Sequence, residues 1–251
     1  MTTNPFSLEG KTALVTGGSR GIGYAIAKAF IDAGARVVIA SRNRQNLDEA
    51  AASLGANAIA RQCDISDVEE VRAAVGDAWR LGPLDILVNN AGISPYFKRV
   101  EHVTLEDYQS VMDVNIRGAY FAAAAMATLC HEAKRPASII NITSMLGTVP
   151  LARQGIYCAT KAAMDQFTRV MALEWADRGI RVNAIAPGWV ESDMIDELFA
   201  SRHGPVLTAD VPLGRVAKPE EIAGLAVYLA SDAASYVTGA IFPVDGGRQL
   251  R

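Results

Sequence analysis

Residues 12–23 read TALVTGGSRGIG, and this stretch decides the fold. Its first residues are apolar or β-branched, as in a buried strand, and Gly17, Gly21 and Gly23 follow directly. Glycine allows a tight turn and a close backbone approach, and a helix N-terminus offers free N–H groups and a positive dipole end to a pyrophosphate. The stretch therefore predicts a strand, a phosphate-binding turn and a helix, as in dinucleotide-binding proteins.

Short apolar runs alternate with helical patterns along the rest of the chain. Apolar strands that are each followed by a helix imply a parallel sheet covered on both faces, and right-handed crossovers make it doubly wound. The predicted fold is α/β, a Rossmann-type doubly wound parallel sheet of about seven strands with helices on both faces. Strands are predicted at 12–15, 36–40, 58–61, 84–88, 138–142, 182–185 and 241–243. Helices are predicted at 21–33, from the end of the second strand through residue 54, and at 68–79, 105–133, 155–177 and 220–230.

No linker, low-complexity tract or internal repeat divides the chain, so residues 1–251 are predicted to form one domain. The exception to the regular alternation is segment 189–213, which mixes apolar residues with acids and is expected to carry a short amphipathic helix. Long excursions in compact domains are often lids, although a loop that only covers the core is the alternative.

Composition and charge exclude several classes of protein. A net charge of −3 gives no basic surface for nucleic acid. The longest nearly apolar stretch, 118–130, is too short to span a bilayer, and residues 1–10 lack the features of a signal peptide. Three widely spaced cysteines without a histidine cluster argue against disulfides or a metal site. We therefore expect a cytoplasmic protein with no metal and no nucleic-acid or membrane partner.

A tyrosine and a lysine four residues apart, Tyr157 and Lys161, follow Ser144 in the chain. On a helix this spacing brings both side chains to one face. Tyr24 and Lys28 have the same spacing, but they lack the upstream serine and adjoin the glycine turn, so an ordinary helix face is expected there. Together with the dinucleotide turn, the first set indicates proton transfer coupled to hydride chemistry on an alcohol or carbonyl.

The end of the second predicted strand indicates which dinucleotide is bound. Binders of NAD place an acid there for the ribose 2′-hydroxyl, whereas this chain has Ser41, Arg42 and Asn43. Arg20 in the glycine turn adds a second guanidinium. Since each charge-assisted hydrogen bond to a 2′-phosphate contributes about 1.5–3 kcal/mol, the two arginines predict a preference for NADP(H) over NAD(H) of about a hundredfold or more. The alternative is that both are solvated surface residues.

Two further strand ends meet the same edge of the sheet. Asp64 and Ile65 follow the third strand, where the Asp64 carboxylate is placed either to accept a hydrogen bond from the adenine or to cap the next helix. Asn90, Ala91 and Gly92 follow the fourth strand, where small residues and amides suit a backbone near the adenosine ribose, or else a plain turn.

Taken together, these motifs resemble the short-chain dehydrogenase/reductase family, in its branch of about this length, and are similar to its 3-oxoacyl-ACP reductase-like members. The resemblance covers nearly the whole chain. It implies a Rossmann-type homotetramer or homodimer that moves hydride between NAD(P) and a carbonyl or secondary alcohol. The matching motifs are TGxxxGxG at 16–23, Asp64, 89–92, Asn115, Ser144, YxxxK at 157–161, 187–188 and 245–247.

The resemblance also implies roles for single residues. Tyr157 would exchange a proton with the substrate oxygen, and Ser144 would hold and polarise that oxygen. Lys161 would contact the nicotinamide ribose and lower the pKa of Tyr157, and Asn115 would bind a water that links Lys161 to solvent. The cofactor contacts that belong to the family motifs are Gly17, Ser19, Gly21, Ile22, Gly23, Pro187, Gly188 and Val190.

The substrate is expected beyond the carboxyl ends of the strands, where several mostly apolar and aromatic segments converge. Their character favours a moderately apolar ketone, a β-ketoacyl group or a cyclic ketone over a small sugar acid. Arg153 and His203 are candidate polar contacts, with a surface position as the alternative for each. The predicted pocket residues are Ser94, Tyr96, Met145, Gln154, Trp189, Met194 and Phe199.

Three functions are compatible with the sequence. The leading one is an NADPH-dependent carbonyl reductase, with 3-oxoacyl thioesters among its candidate substrates. The second is a secondary alcohol or polyol dehydrogenase that runs oxidatively. The third is a dinucleotide-binding regulator without turnover, against which the intact set of Ser144, Tyr157 and Lys161 argues.

Overall fold

The computed structural model describes residues 4–193, 195, 199 and 204–251. Its centre is one β-sheet whose strands begin and end close to the predicted positions. The strands are β1 (Thr12–Thr16), β2 (Arg36–Ser41), β3 (Ala58–Gln62), β4 (Leu84–Asn89), β5 (Ala137–Ile142), β6 (Ile180–Pro187) and β7 (Ile241–Val244).

The seven strands are all parallel and lie in the order β3-β2-β1-β4-β5-β6-β7. The chain therefore winds outward from β1 in one direction and from β4 in the other. At such a switch point the connections leave on opposite faces, which opens a crevice at the carboxyl ends of β1 and β4. The predicted α/β doubly wound fold is confirmed.

Two layers of helices cover the sheet. The helices are α1 (Gly21–Asp32), α2 (Arg44–Leu54), α3 (Val68–Arg80), α4 (Leu105–Met112), α5 (Ala119–Ala133), α6 (Gly155–Trp175), α7 (Gly204–Ala209) and α8 (Glu220–Ala230). On one face, α1, α2 and α8 bury apolar side chains such as Phe30, Leu47 and Leu229. On the other face, α3, α5 and α6 bury side chains such as Val75 and Met126.

The predicted helix 105–133 is interrupted in the structure. A π-helical turn, Asp113–Gly118, separates α4 from α5. A Cβ on Gly118 would lie 2.0 Å from the Ile65 carbonyl oxygen, so the helix passes the segment after β3 at a distance that only glycine allows. The wider turn inserts a residue and places Asn115 in the interior at 3% exposure. The periodicity of apolar residues alone does not predict such an insertion.

Part of segment 189–213 packs beside the carboxyl edge of the sheet. Trp189 and Val211 form a small apolar cluster with Met145 and Leu146, which follow β5. Val190 makes an isolated parallel bridge with Ala217. None of the helices in the described ranges has the length and apolar character needed to cross a membrane.

Candidate active site

A cavity of about 1030 Å³ opens at the carboxyl edge of the sheet. The glycine turn after β1 and the end of β2 form one end of it. The segments after β5 and β6, together with the start of α6, form the other end. Its volume is at the upper limit for ligand-binding clefts, and its position is where ligands bind in doubly wound folds.

The glycine turn is held tightly against the segment after β4. Asn90 donates from Nδ2 to the carbonyl oxygens of Thr16, at 2.9 Å, and Gly17, at 3.1 Å. Gly17 has a φ of +65°, in the region that favours glycine. A Cβ on Gly23 would lie 2.3 Å from the Gly17 carbonyl oxygen, so α1 starts in direct contact with the turn.

The cavity wall next to β2 is basic. Ser41 and Arg42 at the end of β2 and Ser19 and Arg20 in the turn all line it. The Ser19 hydroxyl donates to the Ser41 hydroxyl at 3.1 Å, and Arg20 forms an exposed ion pair with Asp193. No side chain caps α1, so its first N–H groups remain available to an anion.

Ser144, Tyr157 and Lys161 lie at the other end of the cavity. Ser144 is buried, its Oγ accepts from the Leu146 N–H at 3.1 Å, and its side chain lies beside Tyr157. Tyr157 and Lys161 are one turn apart on α6, and Nζ lies 5.5 Å from the centre of the tyrosine ring. Nζ also donates to the carbonyl oxygen of Ile142 at 3.0 Å, which ties the lysine to the strand that precedes Ser144.

Burial moves both α6 side chains towards their neutral forms. It raises the pKa of Tyr157 to about 12, although the neighbouring Ser144 side chain acts to lower it. It lowers the pKa of Lys161 to about 8, although the charge of Asp165 raises it. The direction for Tyr157 is opposite to the lowering that we expected from the sequence. The reason is that burial of the phenol outweighs the effect of the Ser144 side chain, while Lys161 donates to the Ile142 carbonyl oxygen.

Asn115 clamps the segment after β4 beside Lys161. Its Oδ1 accepts from the Ile93 N–H at 2.8 Å, and its Nδ2 donates to the Ile93 carbonyl oxygen at 3.0 Å and to the Thr160 hydroxyl at 3.3 Å. A Cβ on Gly92 would lie 3.5 Å from both Asn115 Oδ1 and Lys161 Nζ. Asn115 therefore fixes the backbone next to the lysine from behind the cavity wall.

A polar bridge closes the side of the cavity near Tyr157. Ser94 donates to Gln154 Oε1 at 2.6 Å, and Gln154 Nε2 donates to the Tyr96 carbonyl oxygen at 3.0 Å. Arg153 has a φ of +68°, which is unusual outside glycine, and its guanidinium lies 5.6 Å from the centre of the Phe97 ring. These contacts join the segment after β4 to the residues just before α6.

The opposite wall is apolar. Met145 and Trp189 are buried there, and Phe199 packs edge-on against Trp189 with 5.4 Å between the ring centres. Phe199 therefore supports the wall through Trp189. The predicted pocket residue Met194 and the candidate polar contact His203 lie outside the described residues.

Most of the predicted site residues line this one cavity. Gly23 lies behind the glycine turn, and Asn43 caps α2 by accepting from the Asn46 N–H at 2.9 Å. Asp64 accepts from the Ser66 N–H at 2.9 Å and its hydroxyl at 2.7 Å in a local turn, and the predicted alternative of a helix cap is wrong for Asp64, because Asp67 caps α3. The predicted residues that line the cavity are Gly17, Ser19, Arg20, Gly21, Ile22, Ser41, Arg42, Ile65, Asn90, Ala91, Gly92, Ser94, Tyr96, Ser144, Met145, Gln154, Tyr157, Lys161, Pro187, Gly188, Trp189 and Val190.

Sequence reasoning missed two backbone anchors, Ile93 and Ile142. They hold Asn115 and Lys161 through main-chain atoms, and no side-chain pattern marks a main-chain acceptor. A metal centre has no candidate within the described ranges, where no group of three or more His, Cys, Asp or Glu side chains comes together.

The second tyrosine–lysine pair lies on α1 and is engaged elsewhere. The Tyr24 hydroxyl lies 2.8 Å from the Ser53 hydroxyl, and Lys28 donates to Asp32 at 2.7 Å. Neither side chain lines the cavity. The two tyrosine–lysine pairs have the same spacing, and their positions in the fold show which of them lies at the cavity.

Comparison with known proteins gives consistent matches along nearly the whole chain. A family model described as enoyl-(acyl carrier protein) reductase matches residues 17–249. Galactitol 2-dehydrogenase (L-tagatose-forming) of Cereibacter sphaeroides is 42% identical, covering 96% of both chains, and D-threitol dehydrogenase of Mycolicibacterium smegmatis is 38% identical, covering 98% of this chain and 95% of the relative. The crystal structure of a gluconate 5-dehydrogenase from Burkholderia cenocepacia in complex with NADP and tartrate has a TM-score of 0.93, with 34% identity and 98% of each chain covered.

The doubly wound sheet and these relatives define the chain as an oxidoreductase that transfers hydride between a nicotinamide cofactor and a ketone or secondary alcohol. It belongs to the short-chain dehydrogenase/reductase family.

Proposed function

We propose that the protein catalyses reversible hydride transfer between NADP(H) and a ketone or secondary alcohol, with carbonyl reduction as the main direction. The observation that carries this proposal is a single cavity that joins a basic glycine turn at one end to Ser144, Tyr157 and Lys161 at the other. The same cavity offers an apolar wall and a polar bridge to the substrate.

The chain's own residues fit a phosphorylated dinucleotide. A Cβ on Gly17 or Gly23 would collide with neighbouring protein atoms, so these glycines keep the turn closely packed, and the uncapped start of α1 offers N–H groups to a pyrophosphate. Arg20 and Arg42 provide cations for a 2′-phosphate. When bound, the nicotinamide would supply or accept the hydride. Asn90, which holds the turn, would keep this groove rigid.

Proton transfer would belong to the α6 side chains. With a pKa raised to about 12, Tyr157 is protonated at neutral pH, which is the form that donates a proton to the alkoxide formed by carbonyl reduction. Ser144, which lies beside Tyr157 in the same cavity, would hold the substrate oxygen next to the phenol. The Lys161 cation would stabilise the phenolate that remains. Asn115 would hold the backbone of Ile93 in place beside Lys161.

The cofactor preference is tested by titrating the protein with NADPH and NADH and following the nicotinamide fluorescence. We expect NADPH to bind at least about tenfold more tightly, because one charge-assisted hydrogen bond contributes about 1.5–3 kcal/mol. Arg42→Ala should remove most of this difference. Arg44→Ala is the matched control, because Arg44 pairs with Asp48 on α2 and does not line the cavity. Equal or tighter binding of NADH by the unaltered protein would contradict the proposal.

A second candidate activity is oxidation of a polyol. It is supported by the relatives named for galactitol and D-threitol, and by the polar bridge of Ser94 and Gln154 with Arg153 beside it. The test is a panel of ethyl acetoacetate, cyclohexanone and L-tagatose with NADPH, and of galactitol and D-threitol with NADP⁺, followed by absorbance. Faster turnover of the polyols would make this the main activity. No turnover of any member with either cofactor would favour the non-catalytic alternative.

We also propose that the chain assembles as a homotetramer or homodimer. Leu105 is 71% exposed and Val100 is 75% exposed, and with Tyr108 they border an apolar groove between α4 and α6. Apolar patches of this kind are typical of subunit interfaces. Light scattering coupled to size exclusion should give a multiple of the chain mass. A monomer at all concentrations would contradict this.

One domain spanning residues 1–251 and a cytoplasmic location complete the proposal. The first is supported by the single sheet that runs from β1 near the start to β7 near the end of the chain. The second is supported by Cys63, Cys130 and Cys158, which are all free thiols.

A further inference from the structure

A buried carboxylate lies behind the proton-transfer residues. Asp165 follows Lys161 by one helical turn on α6, on the face turned to the sheet, and is only 6% exposed. Its Oδ1 has no hydrogen-bond partner among the described residues. A buried carboxyl oxygen without a partner destabilises the folded state, so stability alone does not explain an acid at this position.

The carboxylate contacts the segment that carries Ser144. A Cβ on Gly147 would lie 2.9 Å from Asp165 Oδ2, so the turn after β5 passes directly over the acid. Thr143, which precedes Ser144, lies beside the carboxylate and acts to lower its pKa against burial, while its hydroxyl donates to the Ile185 carbonyl oxygen at 3.2 Å. Asp165 therefore sits between the strand end that positions Ser144 and the helix that positions Tyr157.

The charges around this acid are few. Burial raises the pKa of Asp165, and the charges of Arg169 and Lys161, one turn to either side on α6, lower it by less. The groups that face Lys161 from other elements are uncharged, namely the Ile142 carbonyl of β5 and the side chain of Asn115. Because Lys161 donates to Ile142, the attraction of Asp165 acts through space within the protein interior, where a charge is weakly screened.

We propose that Asp165 is a positioning residue whose negative charge keeps Lys161 protonated and thereby sustains proton transfer by Tyr157 at neutral and mildly alkaline pH. Asp165 does not line the cavity and acts through Lys161. This inference rests on the proposed roles of Tyr157 and Lys161. Without the carboxylate, only burial would act on the pKa of Lys161. The pKa would then be lower still, and the lysine would lose its proton at a lower pH than in the unaltered protein.

The test is the pH profile of kcat between pH 6 and 10 for Asp165→Asn, with NADPH and the best-reduced ketone among ethyl acetoacetate, cyclohexanone and L-tagatose. We expect the alkaline limb, which lies near pH 8 if the pKa of Lys161 governs it, to move down by about one pH unit. Turnover would then fall about fivefold at pH 8 and stay within about twofold of the unaltered protein at pH 6. KM for the ketone and the Kd of NADPH should not change.

Thr168→Val is the matched control, because Thr168 is fully buried on the same face of α6 and accepts from Asn141 Nδ2 at 2.8 Å. It should lower the melting temperature without moving the alkaline limb. Asp165→Glu keeps the charge and should keep the limb in place. If Asp165→Asn does not fold, Asp165→Ser carries the same expected shift. An unmoved limb in the folded neutral variant, or an equal shift in Asp165→Glu, would overturn the proposal.

Failure of this inference differs from failure of the proposed function. If Tyr157→Phe retains near-normal turnover, the proposed proton donor is wrong and the role of Asp165 falls with it. If Tyr157→Phe is inactive while Asp165→Asn has an unchanged pH profile, only the role of Asp165 is wrong.

Discussion

Gly23→Ala tests whether the glycine turn is as tightly packed as its geometry indicates. The added Cβ would lie 2.3 Å from the Gly17 carbonyl oxygen and 2.4 Å from Asn90 Nδ2, whereas ordinary contact begins at 3.4 Å. The turn and the start of α1 must therefore separate by about 1 Å. Both lie in the wall of the proposed cofactor groove, so binding and stability should change together.

The magnitude follows from overpacking, which typically destabilises by about 1–3 kcal/mol. For a chain of this size that corresponds to a melting temperature lower by about 2–12 °C. If the strain is relieved by moving the turn, NADPH affinity should fall by a similar free energy, or about fivefold to 150-fold. Asn90 opposes that movement because its amide donates to both Thr16 and Gly17.

The assay combines thermal unfolding with fluorescence titration of NADPH. Gly76→Ala is the control, because a Cβ there meets nothing within 4 Å and the residue lies inside α3. Alanine should stabilise that helix by up to about 1 kcal/mol and leave the affinity unchanged. A Gly23→Ala protein with unchanged melting temperature and unchanged NADPH affinity would refute the reasoning.

Three further predictions concern single contacts. Asp67→Ala removes the cap that accepts from the N–H groups at the start of α3, and should destabilise by about 0.5–2 kcal/mol in urea unfolding without changing NADPH affinity. The hydrogen bond from Arg215 lowers the pKa of Glu221 to about 2. The stability that this pair contributes is therefore fully present at a pH above the ordinary pKa of glutamate, and it is lost as the pH falls towards 2. The difference in urea midpoint between Glu221→Gln and the unaltered protein should therefore narrow from pH 5 to pH 3, and a constant difference would contradict this. Asp193→Asn frees Arg20 from an exposed ion pair worth about 0.2–1 kcal/mol, so NADPH should bind up to about fivefold more tightly and NADH equally well.

The sheet was predictable because its central strands, such as β1 and β5, are buried on both faces. Continuous apolar runs such as those of β1 and β5 mark such strands without reference to distant residues. The π-helical turn at Asp113–Gly118 was not predictable, because it depends on the contact of Gly118 with Ile65, far away in the chain. The periodicity of apolar residues within the helix does not depend on that contact and so cannot predict it.

For the site, the sequence predicted which residues come together, but it did not predict their pKa values. Spacing suggested that Tyr157 and Lys161 share a helix face, and the structure brings both to the cavity with Ser144. The raised pKa of Tyr157 depends on how far its surroundings limit its contact with water, which a motif does not encode. The same holds for Asp165, whose importance becomes visible only once its burial is known.

The central claim is that Tyr157 transfers the proton in an NADP(H)-dependent reaction at a carbonyl or alcohol. Its most direct test is turnover of Tyr157→Phe, measured beside NADPH affinity in the same preparation. Phenylalanine keeps the ring and removes only the hydroxyl, which lies in the cavity beside Ser144. We expect NADPH affinity to stay within about twofold and kcat to fall by about 10²–10⁴. Turnover close to that of the unaltered protein, with NADPH still bound, would contradict the account.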